Sequence, residues 1–123
     1  MMDITESVAR VKANIAAAAE KAGRRPEDIY LVAASKMNDS GRVREAIAAG
    51  IRICGENRVQ EMVEKQAQGA YEGAELHFIG HLQKNKVKQV VGLASLIQSA
   101  DSLELIRLID KTALSRGIIQ DIL

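Results

Sequence analysis

Short apolar runs alternate with amphipathic stretches along all 123 residues, and glycines mark many of the joints. Residues 3–22 read as an amphipathic helix: Asp3 caps it, Glu6 completes a capping-box pattern, and Ile4, Val8, Val11 and Ile15 recur at helical spacing. The continuous apolar run Ile29–Ala34 then predicts a strand buried on both faces. Asp39 or Ser40 opens a helix carrying Val43, Ala46 and Ile47; Ile51–Cys54 is a second strand; Asn57 caps a helix with Val59, Met62 and Val63. Leu76–Ile79 is a third strand, followed by a helix through Val87, Val90 and Val91. Ser95–Gln98 is a fourth strand, and Asp101 or Ser102 opens a helix with Leu105, Ile106, Leu108 and Ile109. A fifth apolar run begins at Ile118. Gly23, Gly50, Gly73, Gly92 and Gly117 punctuate this order. Repeated strand–helix units with short crossovers demand parallel strands and right-handed connections, hence an α/β fold. Whether the sheet is a (β/α) barrel or an open doubly wound sheet stays open at this level.

Composition narrows the function classes. Basic and acidic side chains number 17 and 16, a net charge of +1 that lacks the basic excess of a general nucleic-acid binder. Aromatics are 2%, so the core is aliphatic. The single cysteine, Cys54, excludes an internal disulfide framework and fits a reducing compartment. No apolar run approaches the roughly 18 residues of a membrane span. The start, Met1-Met2-Asp3-Ile4-Thr5-Glu6, is polar and unlike a secretory signal. The expectation is a soluble cytoplasmic domain with no nucleic-acid or membrane partner.

In both parallel architectures ligands bind at the carboxyl ends of the strands. Those positions hold Ser35-Lys36, Gly55-Glu56-Asn57, Gly80-His81 and Ser99. Lys36 follows six apolar residues. Burial disfavours the charged form of a lysine, and the neutral amine is a nucleophile for an aldehyde, so Lys36 reads as a Schiff-base lysine, or else as one that snorkels from the strand end or pairs with Glu56. Asn57 reads as a helix cap, a ligand-bonding rim residue, or both. Glu56 is a base or an ion-pair partner. His77 and His81 are four apart, but on a strand broken by Gly80, which removes the helical geometry of a metal pair; no metal site is expected. His77 then reads as a strand residue with a satisfied ring, and His81 as the better rim candidate. Lys84, Lys86 and Lys88 read as a solvated face, and Cys54 as a small buried hydrophobe. Neither a Walker loop nor Gly-x-Gly-x-x-Gly follows a strand, so nucleotide binding has no motif behind it.

Three ordered segments carry a specific resemblance: Leu31-Val32-Ala33-Ala34-Ser35-Lys36, Gly55-Glu56-Asn57-Arg58-Val59-Gln60-Glu61, and His77-Phe78-Ile79-Gly80-His81-Leu82-Gln83-Lys84-Asn85-Lys86. They resemble the YggS/PROSC family of pyridoxal phosphate homeostasis proteins, over essentially the whole chain. The resemblance implies an α/β fold of the alanine-racemase-like (β/α)8 TIM-barrel type with an extra N-terminal helix. It implies pyridoxal 5'-phosphate held as a Schiff base on Lys36, with Asn57 lining the cofactor pocket and Ile79 and His81 forming another wall. It implies a role in intracellular cofactor homeostasis, with pyridoxal-phosphate-dependent apoenzymes as recipients, rather than turnover, so no catalytic residue is assigned. The alternatives are a truncated fragment with little or no cofactor binding, or a pyridoxal-phosphate-dependent amino-acid racemase-like enzyme. The cofactor needs a positioned acid–base group for that chemistry, and no tyrosine falls at the rim positions: Tyr30 lies near a strand start and Tyr71 near a helix end.

Two departures stand out. Met37-Asn38-Asp39 replaces the family's more usual threonine-lysine-proline. A full barrel also takes about 250 residues, so residues 1–123 form a single incomplete barrel domain that stops in or near strand five, before the late-strand loops that clamp the cofactor phosphate. Weak cofactor binding and self-association through open sheet edges are the expected consequences.

Overall fold

The computed structural model describes residues 3–123; Met1 and Met2, which open the predicted polar N-terminus, lie outside the described residues. Helices α1 (Ile4–Lys21), α2 (Ser40–Ala48), α3 (Val59–Ala67), α4 (Val87–Val90) and α5 (Leu103–Ser115) alternate with strands β1 (Ala33–Ala34), β2 (Ile53–Glu56), β3 (Glu75–Phe78), β4 (Leu96–Ile97) and β5 (Asp121–Ile122). The five strands form one sheet in the order β1-β2-β3-β4-β5, and every pairing is parallel. A doubly wound sheet reverses its strand order at a switch point. This sheet never reverses; each unit adds its strand beside the last, and β1 and β5 are its two edges.

Local chemistry sets the helix boundaries. Asp3 caps α1 by accepting from the Glu6 N–H at 2.8 Å, Asp39 caps α2 by accepting from the Arg42 N–H at 2.8 Å, and Ser102 caps α5 by accepting from the Leu105 N–H at 3.1 Å. Gly23 and Gly117 leave α1 and α5 at φ 70° and 66°, a backbone that glycine adopts without a β-carbon clash.

The strands depart from the sequence expectation in three ways. β2 and β3 sit at 53–56 and 75–78 rather than 51–54 and 76–79. Only Ala33–Ala34 of the first run pairs, because β1 has β2 on one side and no strand on the other. That edge also removes the expected burial on both faces: Tyr30 is 80% exposed. The fourth helix is a single turn after a 3-10 turn at Lys84–Lys86, and Arg116 closes it by donating to the Lys88 and Val91 carbonyls at 2.7 and 2.6 Å.

The two sheet faces differ. Cys54, Glu56, Leu76, Phe78 and Ile97 point to the helices and are buried; Met62, Leu82, Val87 and Val90 pack behind them. The opposite face carries Ala34, Gly55, His77, Leu96 and Asp121 in register. On it Gly55 and His77 are buried, Leu96 is half-buried, and Ala34, Glu75 and Asp121 are exposed. A cavity of about 500 Å³ opens between α1 and the segments that lead into β1 and β2, lined by Ile15, Ala16, Ile29, Tyr30, Ile51 and Ile53. No helix of the described residues is long and apolar enough to cross a membrane.

Candidate functional site

The ladder continues past the strand ends. Ser35 N–H donates to the Gly55 carbonyl at 3.0 Å, Ile79 N–H to Glu56 at 2.9 Å, and Gln98 N–H to Phe78 at 2.9 Å. Ala34, Gly55, His77 and Leu96 share one level of the open face. Two residues on, at the carboxyl ends, come Lys36, Asn57, Ile79 and Gln98. Three of the four residues singled out from sequence therefore follow one register level of the sheet, and Lys36 does so in a turn that the Asn38 N–H closes on the Ser35 carbonyl at 3.2 Å.

Small residues shape this rim. A β-carbon on Gly55 would lie 2.8 Å from Ile79 Cδ1 and 2.9 Å from Val32 Cγ1, so those two side chains close over the space a larger residue would fill. A β-carbon on Gly80 would lie 2.3 Å from the Asn57 carbonyl oxygen. The absence of a side chain at Gly80 lets the β3 exit pack against the Asn57 backbone and fixes where Asn57 sits.

Asn57 does not cap α3. Arg58 holds that position, with extended backbone and no side-chain cap bond. Lys36 is exposed rather than buried, since the edge strand beneath it has one neighbour. Asn38 Nδ2 donates to its carbonyl at 3.2 Å.

Behind the rim, on the helix side, lies a buried polar cluster. Glu56 is fully buried, and its Oε2 accepts from Ser35 Oγ at 2.8 Å, Lys65 Nζ at 2.9 Å and Tyr71 OH at 2.6 Å. Its Oε1 is buried with no partner. Lys65 Nζ also donates to the Ser35 carbonyl at 2.7 Å and to Glu61 Oε1 at 2.7 Å. Glu61 Oε1 in turn accepts the Met37 N–H at 2.6 Å. The pairing of Glu56 with Lys36 that the sequence left open is thus taken by Lys65.

Electrostatics follow the geometry. Burial opposes the Lys65 ammonium, but hydrogen bonds to Glu61 and Glu56 and the charges of both carboxylates outweigh it and hold its pKa above the ordinary lysine value. Burial likewise opposes the Glu61 carboxylate, but the Lys65 and Met37 hydrogen bonds and the Lys65 and Arg58 charges hold its pKa below the usual range. Burial, then the Glu56 hydrogen bond, keeps the Tyr71 phenol protonated. Burial and the Glu56 charge push the Cys54 thiol up to about 11, against the opposing Lys65 charge.

The remaining candidates separate. His77 is buried, with Nδ1 2.9 Å from Gln98 Nε2, which satisfies the ring as expected. His81 is exposed, with Nδ1 3.7 Å from Asp101 Oδ2. It lines a cavity of about 480 Å³ with Lys84, Asp101 and Ser102, whose lining includes none of Lys36, Asn57 and Ile79. Lys84 pairs with Glu104 at 2.5 Å. Among the described residues no group of three or more His, Cys, Asp or Glu gathers as a metal site.

No protein-family model matches the chain. It is 40% identical over 122 residues to a pyridoxal phosphate homeostasis protein of Aquifex aeolicus, covering 99% of this chain and 54% of that one. It is 48% identical over 94 residues to the protein of the same name from Escherichia coli K12, covering 73% and 40%. A crystal structure of an unknown protein from Bifidobacterium adolescentis superposes with TM-score 0.90 at 37% identity, covering 100% of this chain and 56% of that one. PipY of Synechococcus elongatus PCC7942, solved with pyridoxal phosphate bound, superposes with TM-score 0.75 at 35% identity, covering 90% and 52%. The chain spans about half the length of these relatives. Over the residues it holds, it belongs to the family of pyridoxal phosphate homeostasis proteins.

Proposed function

We propose that this chain holds pyridoxal 5'-phosphate through a Schiff base on Lys36 and serves intracellular homeostasis of that cofactor. One observation supports the reading: Lys36, Asn57 and Ile79 each follow by two residues a member of one register level, Ala34, Gly55 and His77, at the carboxyl ends of adjacent strands, in a chain 35% identical to a structure solved with this cofactor bound. The residues fit the group. Lys36 is exposed, so access rather than burial recommends it: its amine, once deprotonated, would attack the aldehyde carbon, forming the C–N double bond as the aldehyde oxygen leaves as water, with no change of oxidation state. When bound, the cofactor supplies an electron sink. Asn57 offers an amide at the end of β2 and Ile79 an apolar wall beside Gly55, whereas His81 lines a separate cavity and would reach the cofactor only from further along the β3 exit.

Over the residues this chain holds, storage and delivery are favoured over racemase-like turnover. Tyr71 is buried behind the sheet on Glu56, and Tyr30 stands ahead of β1, away from the carboxyl rim, so neither tyrosine meets a ligand at Lys36. Five parallel strands in sequential order fit the first units of a (β/α)8 barrel. Pyridoxal-phosphate-dependent apoenzymes are the recipients this role calls for. The exposed apolar residues Tyr30, Ile119 and Leu123 beside the two sheet edges favour self-association of the half barrel.

Titration with pyridoxal phosphate, followed by absorbance, tests the reading. Binding is expected with a new absorbance band, weaker than for a full-length relative, and lost in Lys36→Ala. A band that Lys36→Ala leaves unchanged would overturn the assignment.

A further inference from the structure

The turn that carries Lys36 is held from both sides by groups that do not belong to the rim. On its N-terminal side, Ser35 gives its carbonyl to Lys65 Nζ at 2.7 Å and its hydroxyl to Glu56 at 2.8 Å. On its C-terminal side, the Met37 N–H donates to Glu61 at 2.6 Å. Met37 has φ 63°, the only positive φ outside glycine among the described residues, and its side chain is 85% exposed. Exposed packing does not stabilise a left-handed methionine, a conformation that costs an L-residue about 1–2 kcal/mol; the turn's own bond from the Asn38 N–H to the Ser35 carbonyl at 3.2 Å and the Glu61 hydrogen bond on the Met37 N–H do. Lys65 Nζ lies 2.7 Å from the same Glu61 oxygen and so ties the two clamps into one unit.

We propose that Glu61 and Lys65 are positioning residues for Lys36: they lock the Ser35-Lys36-Met37 turn from the helix side and so set the direction in which the lysine amine meets an aldehyde on the open face. Neither residue reaches the ligand side of the sheet. The locking role accounts for a buried lysine on the apolar face of α3, and for Met37 in a conformation that Met rarely adopts. It rests on Lys36 as the cofactor anchor.

Glu61→Ala is the informative variant. Glu61 is partly exposed, and Lys65 keeps Glu56 as its counter-ion, so the change strands no buried charge. The chain is incubated with pyridoxal phosphate and quenched with borohydride at timed intervals, and labelling is read at Lys36 and at the exposed Lys88 by peptide mass. Amide exchange at Met37 is read by NMR without cofactor. In Glu61→Ala we expect Lys36 labelling to slow about tenfold and Met37 protection to fall about tenfold, the ratio for one lost hydrogen bond to a charged group. Lys88 labelling stays constant, and Glu61→Gln, which keeps the acceptor oxygen, recovers part of both effects. A drop in Met37 protection with no change at Lys36 overturns the positioning role, as does equal slowing at Lys36 and Lys88. Absence of Lys36 labelling in the unsubstituted chain is a separate result; it removes the anchor itself and with it this inference.

Discussion

Replacing Lys65 with methionine removes three hydrogen bonds, to the Ser35 carbonyl, Glu56 and Glu61, at the cost of almost no volume. The lysine side chain is 7% exposed and that of Glu56 is 0% exposed, so the change leaves an anion inside the protein without its counter-ion. Ser35 and Tyr71 still donate to Glu56 Oε2, but Oε1 already lacks a partner. Breaking one side of a buried pair costs about 3–5 kcal/mol. A domain has only about 5–15 kcal/mol in total, so Lys65→Met should be among the most disruptive single changes short of unfolding the chain. The penalty is assigned to the stranded charge rather than to the lost bonds. The double variant Glu56→Gln/Lys65→Met should therefore be more stable than Lys65→Met alone, by about 1 kcal/mol or more, since a neutral amide still accepts from Tyr71 and Ser35. Urea unfolding of the four members of this cycle, with m-values checked for constancy, gives the coupling directly. Strict additivity of the two substitutions, or a loss below about 1 kcal/mol in Lys65→Met, would refute the reasoning.

Three other outcomes follow from the same structure. Gly80→Ala would place a β-carbon 2.3 Å from the Asn57 carbonyl oxygen; a loss of about 1–3 kcal/mol is expected in thermal unfolding, and an unchanged Tm would show that the two loops are not in contact. Stability should also depend on pH through the pair Glu61–Lys65. The Glu61 pKa lies below its reference of 4.5 when folded, so its contribution is full above that value and is lost as pH falls through the lower folded pKa; Lys65, raised above 10.5, contributes fully below that value and loses its share as pH rises through the higher folded pKa. Glu61→Gln should flatten the acid limb of stability against pH, and an unaltered limb would contradict the pairing. Cys54, buried with its pKa raised to about 11, should react with a thiol reagent at neutral pH only after unfolding, and rapid labelling of the native chain would contradict its burial.

The sequence revealed what is local and left out what is paired at a distance. Asp3 was legible as a cap, and Asp39 and Ser102 each as one of two adjacent candidates, because a side chain three residues from the amide it serves is a short-range signal. The order of strands and helices along the chain was legible for the same reason, whereas the order of the strands within the sheet was not. The extent of β1 was not legible, because an apolar run announces burial and this edge has no second neighbour to provide it. Asn57 looked like a cap by residue type, but the chain stays extended through Arg58, and the Gly80 contact decides the path instead. The Glu56–Lys65–Tyr71 cluster escaped because its members come from a strand, a helix and the turn after it. A signal was present: Val59 and Met62 set a buried stripe with spacing three, and Lys65 is its next member. A lysine on a buried stripe requires an anion, and Glu56 is two residues past Cys54 on the same side of the strand.

The central claim is that Lys36 carries the cofactor, and borohydride reduction of the chain after incubation with pyridoxal phosphate, followed by peptide mapping, tests it most directly. One pyridoxyl group on the peptide containing Lys36, absent from Lys36→Ala, is the predicted result. A label spread over Lys84, Lys86 and Lys88, or one that persists undiminished in Lys36→Ala, would contradict it.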